Sequence, residues 1–166
     1  MDLREYSRGE SMNVLIVDDS SVMRRVIEGV LRGAGLKLTE VLQAGNGKEA
    51  LAVLEKMIAQ GKSADLILCD IHMPVMDGVG FLSERKRRAL SPHAAVIMIT
   101  ADPSDPLLIE AAAEGGLGYI AKPFTSEQLR TRILSLLRDT AEGGGAFLAG
   151  PASSVRQTTG GAPSTR

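Results

Sequence analysis

The chain carries three short uninterrupted apolar runs, at residues 14–17, 66–69 and 96–99, and each stops at a polar side chain within one or two residues. A helix of ordinary length would need about ten or more residues, and a half-exposed strand would alternate apolar with polar positions. Runs this short read as strands buried on both faces, and such strands belong to parallel sheets covered by helices. Residues 38–44 and 118–121 are weaker strand candidates, the second lying between a glycine cluster and Pro123.

Helical patterns fill the intervals. Val22, Val26 and Val30 repeat at i+4 beside Met23, Ile27 and Leu31, behind Ser20 and Ser21 as capping candidates and ahead of Gly33 and Gly35 as stops. A second helix is predicted over residues 47–60 through Leu51, Leu54 and Ile58, and a third over residues 79–90 ahead of Pro92. The fourth takes Asp105 as cap and Pro106 as its first residue and ends at Gly115-Gly116. The fifth starts at Thr125 and runs through Leu129, Ile133, Leu136 and Leu137, with Glu127 and Gln128 near the place a capping box would use. Strand and helix alternating five times predict an α/β three-layer sandwich with right-handed crossovers. From Asp139 the composition turns to Gly, Ala, Ser, Thr and Pro, which buries too little apolar area to order itself. The chain therefore divides into an N-terminal extension (1–11), one domain (12–138) and a flexible tail (139–166).

A net charge of −1, from 19 basic and 20 acidic residues, supplies no general attraction to nucleic acid or to an anionic membrane. The run Arg85-Lys86-Arg87-Arg88 reads as a solvated helix end favoured by the helix dipole, and Gly45-Asn46-Gly47 as a turn before the second helix. The single cysteine, Cys69, reads as a small buried hydrophobe. The first eleven residues lack the apolar segment of a signal peptide and no stretch approaches a membrane span, so a cytoplasmic protein is expected.

If the strands are parallel, their carboxyl ends share one edge, where open α/β sheets bind ligands. The residues just past those ends are Asp18-Asp19, Asp70, Thr100 and Lys122. Three carboxylates in a small space repel one another unless they share a cation, and Mg2+ suits them because it takes one or two carboxylates together with phosphate oxygens. The remaining carboxylate can act as a nucleophile forming an aspartyl phosphate, with Lys122 and Thr100 stabilising charge on the phosphoryl group.

The motifs Val17-Asp18-Asp19-Ser20, Asp70-Ile71-His72-Met73-Pro74-Val75-Met76-Asp77-Gly78, Ile99-Thr100-Ala101 and Lys122-Pro123-Phe124 together resemble receiver domains of the CheY-like family, in the right order over residues 13–138. The resemblance implies a flavodoxin-like (βα)5 sandwich with a five-stranded parallel sheet in the order 2-1-3-4-5. It implies that Asp70 accepts phosphate from a histidine kinase or histidine phosphotransfer protein, so the domain would catalyse its own phosphorylation and dephosphorylation. Asp19 and Asp70 would bind Mg2+ directly, Asp18 through water, and the backbone carbonyl of His72 would be the third protein ligand. Lys122 would pair with the acyl phosphate, and its bond to Pro123 is typically cis in this family.

The same resemblance makes Thr100 and Tyr119 the switch pair, with Ala101 leaving space for the tyrosine. It puts phosphate-lifetime modulation on His72 and Asp102, and the downstream protein target on the face of the fourth helix, fifth strand and fifth helix. The opening stretch Asp18-Asp19-Ser20-Ser21-Val22-Met23-Arg24-Arg25 most resembles chemotaxis-type regulators. Pro103 and Pro106 depart from the common pattern by stiffening the loop after Thr100. A haloacid-dehalogenase-like phosphatase would want an aspartate two residues after the nucleophile, and His72 stands there instead. A phosphate sink in a relay would carry an identical domain. A phosphorylation-independent scaffold would have no need of the acid pair, Asp70, Thr100 and Lys122, all of which are intact.

Overall fold

A computed structural model of the chain describes residues 11–141. Five strands, β1 (Met12–Val17), β2 (Leu38–Ala44), β3 (Leu66–Asp70), β4 (Ala95–Thr100) and β5 (Gly118–Ala121), alternate with five helices. The helices are α1 (Ser21–Gly33), α2 (Gly47–Ala59), α3 (Gly78–Arg87), α4 (Leu107–Ala113) and α5 (Ser126–Ala141). All strand pairs are parallel and the sheet order is β2-β1-β3-β4-β5, the order the resemblance implied. α5 runs three residues past 138, where the composition shifts, and the rest of the tail and residues 1–10 lie outside the described residues.

Side-chain alternation splits the sandwich into two apolar layers. Leu15 and Val17 of β1, Ile67 and Cys69 of β3, and Val96 and Met98 of β4 pack toward α2, α3 and α4. Val14 and Ile16, Leu66 and Leu68, and Ile97 and Ile99 pack toward α1 and α5. Each fully buried Val, Leu or Ile contributes about 1.5–3 kcal/mol, so the strands hold the molecule together whichever face a residue takes. With both faces apolar, polarity along the strands does not fix their register. The polar residues at the strand ends do, because a one-residue slip of β1 would drag Asp18 off the Lys122 ammonium it bonds and into an apolar layer.

The helices begin at the edge where the strands end, and side-chain caps hold most of their starts. Ser20 Oγ accepts from the Met23 amide (3.2 Å), Asn46 Oδ1 from Glu49 (3.0 Å) and Asp77 Oδ1 from Gly80 (2.7 Å). Thr125 and Gln128 form a reciprocal box, with Thr125 Oγ1 accepting from the Gln128 amide and Gln128 Oε1 from the Thr125 amide. At α4 the cap position belongs to Pro106 rather than Asp105, although Asp105 Oδ1 accepts from the Leu107 amide at 2.9 Å.

Other details correct the sequence reading. α2 buries Met57 and leaves Ile58 outside, and α1 buries Ile27, Val30 and Leu31 while Val22 and Val26 face out. Arg85 is no solvated base: it is buried, and its Nη1 donates to the Ser91 carbonyl at 2.7 Å, closing the end of α3. Its neighbours pair with acids, Arg87 and Arg88 with Glu84, Arg88 also with Glu55, and Lys86 with Glu114. The hydrogen bonds from Arg87 and Arg88 hold the Glu84 carboxyl down at about 2. No helix among the described residues is long and apolar enough to cross a membrane.

Candidate phosphoacceptor site

The sheet order reverses between β1 and β3, since the chain leaves β1 for β2 on one side and later returns to β3 on the other. A crevice opens beyond the strand ends at such a point. Asp18 and Asp19 enter it directly after β1, and Asp70 is the last residue of β3. One ligand oxygen from each of Asp18, Asp19 and Asp70 falls within 4.8 Å of the others. Asp18 is fully buried, Asp70 nearly so, and Asp19 is exposed at the mouth.

Among the described residues a single ammonium reaches into this group. Lys122, directly after β5, donates from Nζ to Asp18 Oδ2 at 2.9 Å and to Asp70 Oδ2 at 3.2 Å. Its backbone is held by the bond from its amide to the Thr100 carbonyl (2.6 Å), and the Lys122–Pro123 peptide is cis. Burial pushes the Asp70 carboxyl up; the Lys122 charge opposes this, the Asp18 charge adds to it, and the net direction is upward. For Lys122 burial acts downward, but the hydrogen bond to Asp18 and the charges of both aspartates outweigh it and raise the ammonium. Beside them Cys69 is fully buried and its thiol is pushed far up by burial, so it behaves as the hydrophobe its sequence context suggested.

Thr100, at the end of β4, is fully buried, and its hydroxyl donates to the Asp102 carbonyl and accepts from the Asp102 amide, both at 3.0 Å. The Asp102 carboxylate turns to Ser104, whose hydroxyl and amide hold its pKa low. His72 Nε2 contacts Asp105 Oδ2, tying the loop after β3 to the loop before α4. Tyr119 sits half-buried on β5 and Ala101 is exposed. The five residues singled out just past the strand ends thus come to one edge, whereas the side chains of His72 and Asp102 turn toward their own loop partners.

The loop after β3 is shaped by two backbone features that no charge pattern reveals. A Cβ on Gly78 would lie 2.3 Å from the Asp70 carbonyl oxygen and 3.1 Å from Ile71 Cα, so the start of α3 presses directly on the backbone of Asp70. Gly78→Ala is expected to destabilise the domain by about 2–3 kcal/mol in urea unfolding, because the clash is with backbone and cannot be relieved by a rotamer. Val75, 79% exposed, has φ 69°, in a tight turn closed by the Met76 amide on the Pro74 carbonyl. A β-branched residue is strained there. Val75→Asn, which keeps the turn but tolerates positive φ, should raise the urea midpoint by the equivalent of about 0.5–1 kcal/mol.

Fold and site define a single α/β domain with a carboxylate pocket, short of positive charge, at its switch point. The sequence matches the response regulator receiver domain over residues 14–134. The chemotaxis protein CheY-3 of Vibrio cholerae is 37% identical over 124 residues, covering 75% of this chain and 90% of that protein. The chemotaxis protein CheY of Pseudomonas aeruginosa is 37% identical over 122 residues, covering 74% and 93%. CheY of Borrelia burgdorferi, solved in a CheX-CheY-BeF3-Mg+2 complex, superposes with a TM-score of 0.65 at 28% identity, covering 79% of this chain and 92% of that one. The chain belongs to the response regulator receiver domain family and is a receiver of the CheY type.

Proposed function

We propose that this domain takes a phosphoryl group onto Asp70 from a phosphohistidine, on a histidine kinase or a histidine phosphotransfer protein, and signals by a phosphorylation-dependent change in the protein it binds. One observation carries the reading: three converging carboxylates are met by one ammonium, leaving excess negative charge where a phosphoryl group would have to arrive. Mg2+ fits this donor set: the carboxylates of Asp18, Asp19 and Asp70, together with the His72 carbonyl, would hold it. When bound it would neutralise charge shared between the carboxylates and the phosphoryl oxygens. The Borrelia relative was solved with both BeF3 and Mg2+, which supports Mg2+ as the ion.

The residues of the chain divide the remaining work. An Asp70 carboxylate oxygen forms the new bond to phosphorus as the phosphorus–nitrogen bond of the donor breaks, and the bonding pair leaves with the imidazole. Lys122 is already within hydrogen-bond reach of Asp70 and offers a fixed positive charge to the phosphoryl oxygens. To donate to a phosphate, the Thr100 hydroxyl must give up the Asp102 carbonyl it now bonds, which ties phosphorylation to the loop before α4. Tyr119 and Ala101 respond on the adjoining surface, formed by α4, β5 and α5, where the downstream protein binds. His72 and Asp102 set the phosphate lifetime through that loop. CheX, bound to the Borrelia CheY, is an example of a protein partner for a relative.

The test is incubation with Mg2+ and acetyl phosphate followed by intact-mass spectrometry. A single phosphoryl adduct, absent from Asp70→Asn and abolished by a chelator, is expected. Absence of an adduct with acetyl phosphate and with a phosphorylated kinase alike would overturn the reading.

A further inference from the structure

We infer that Arg24 is a positioning residue that holds the Asp18–Asp19 peptide in the orientation the acidic pair needs to bind Mg2+, an inference that rests on the proposed reading of the site. The β1–β2 ladder runs up to the bond from the Asp18 amide to the Ala44 carbonyl (3.1 Å), after which the second chain segment turns through Gly45 into the cap of α2. The Asp18 carbonyl is the next group, just past β1, and it accepts from the Arg24 guanidinium, with Nη1 at 2.6 Å. A side chain from α1 thus takes the place of a sheet rung at the peptide that joins the two acids.

The guanidinium is itself aimed from its other side. Arg24 Nε donates to Gln43 Oε1 on β2 at 3.1 Å, and Gln43 Nε2 donates to Glu28 Oε2 at 2.7 Å. Glu28 is in turn gripped by Arg32 from Nε and Nη2. The planar fork of an arginine can satisfy Asp18 and Gln43 together, which a lysine ammonium cannot do in a fixed plane. Asp18 is consequently held at its carbonyl by Arg24, at Oδ1 by the Ser20 amide (2.8 Å) and at Oδ2 by Lys122. Exposed Asp19 has no such set of holds on its carboxylate among the described hydrogen bonds, so its direction depends on the peptide that Arg24 fixes.

Charge and geometry predict opposite signs for the removal of Arg24. A cation beside the pocket repels a second cation, so if Arg24 acted by charge alone its loss would tighten Mg2+ binding. If it acts by holding the peptide, its loss weakens binding, and partners that orient metal ligands typically account for about 10–100-fold in affinity.

The test is Mg2+ binding to the full-length chain by calorimetry, with urea unfolding alongside and phosphorylation by acetyl phosphate across a range of Mg2+. Arg24→Ala should bind Mg2+ about 10-fold more weakly. Arg24→Lys should recover only part of this, and Gln43→Leu, which keeps the arginine charge, should weaken binding about 3-fold. Phosphorylation of Arg24→Ala should return to within about 2-fold of wild type when Mg2+ is saturating. Unchanged or tighter Mg2+ binding in Arg24→Ala would overturn the inference, as would unchanged binding in Gln43→Leu should the alanine variant fail to fold. A wild type that neither binds Mg2+ nor forms an adduct would overturn the reading of the site itself, and this inference with it.

Discussion

Asp70→Asn should abolish the phosphoryl adduct and, in metal-free buffer at neutral pH, make the domain more stable than wild type. The first half follows from removing the nucleophile: an amide oxygen cannot form the acyl phosphate under the same conditions. The second follows from the direction of the Asp70 shift. Burial raises its carboxyl above the ordinary value of 3.8, so the folded protein disfavours the ionised form more than the unfolded chain does. Below 3.8 the group is protonated in both states and the penalty is absent; it grows as pH rises through the raised folded value and is complete above it. The asparagine variant should therefore match wild type in acid and exceed it at pH 7, by about 1 kcal/mol, or about 4 °C in Tm. Excess Mg2+ should shrink the difference by stabilising the wild type more. Thermal unfolding of both proteins from pH 3 to 8 in a chelator, then with Mg2+, measures this. A variant less stable than wild type at pH 7 would mean that the Lys122–Asp70 contact outweighs the burial of the charge.

Strands β1, β3 and β4 were legible because a doubly covered parallel strand leaves an uninterrupted apolar run with a polar stop, whereas β2 and β5, only partly buried, were weaker candidates. Asp18, Asp19, Asp70, Thr100 and Lys122 were legible because each closes a strand or stands just past one, and parallel strands end on one edge. Helix boundaries were close, but helix faces were less legible. The apolar stripe of α1 is wider than its contact with the sheet, and rotation about the helix axis decides that Val30 is buried and Val26 is not. In α2 the same ambiguity exchanged Met57 for Ile58. Arg85 looked like part of a solvated basic end; what buries it is a turn with positive φ at Ala89 and Ser91, and it reaches the Ser91 carbonyl only in three dimensions. The Arg24–Asp18 bond and the His72–Asp105 contact join separate segments, and periodicity carries no information about such pairs. The strain at Val75 was equally hidden, since nothing local marks a valine as sitting at positive φ.

Lys122→Met should have the largest effect on stability, and in the opposite direction to Asp70→Asn. Methionine keeps most of the lysine stem and its packing, so the change isolates the ammonium. Without it the fully buried Asp18 loses the donor on Oδ2 and keeps the Ser20 amide on Oδ1, while Asp70 remains a few ångströms away. Breaking a buried ion pair from one side commonly destabilises by about 3–5 kcal/mol, and the lower end applies here because the pocket opens to water at Asp19. About 3 kcal/mol is therefore expected in urea unfolding at pH 7 without divalent cations. Three relief experiments separate charge from packing. Acidification should recover part of the loss, because a proton on Asp70 removes one of the repelling charges. Mg2+ should bind this variant more tightly than wild type, with no competing ammonium, and at ten times its Kd contributes about 1.4 kcal/mol. Adding Asp70→Asn to Lys122→Met should stabilise by more than the same change does in the wild-type background, since the carboxylate it removes is then unpaired. A loss that neither acid nor Mg2+ nor the second substitution relieves would place the role of Lys122 in the packing of its stem, and would take from the site the cation on which the charge balance rests.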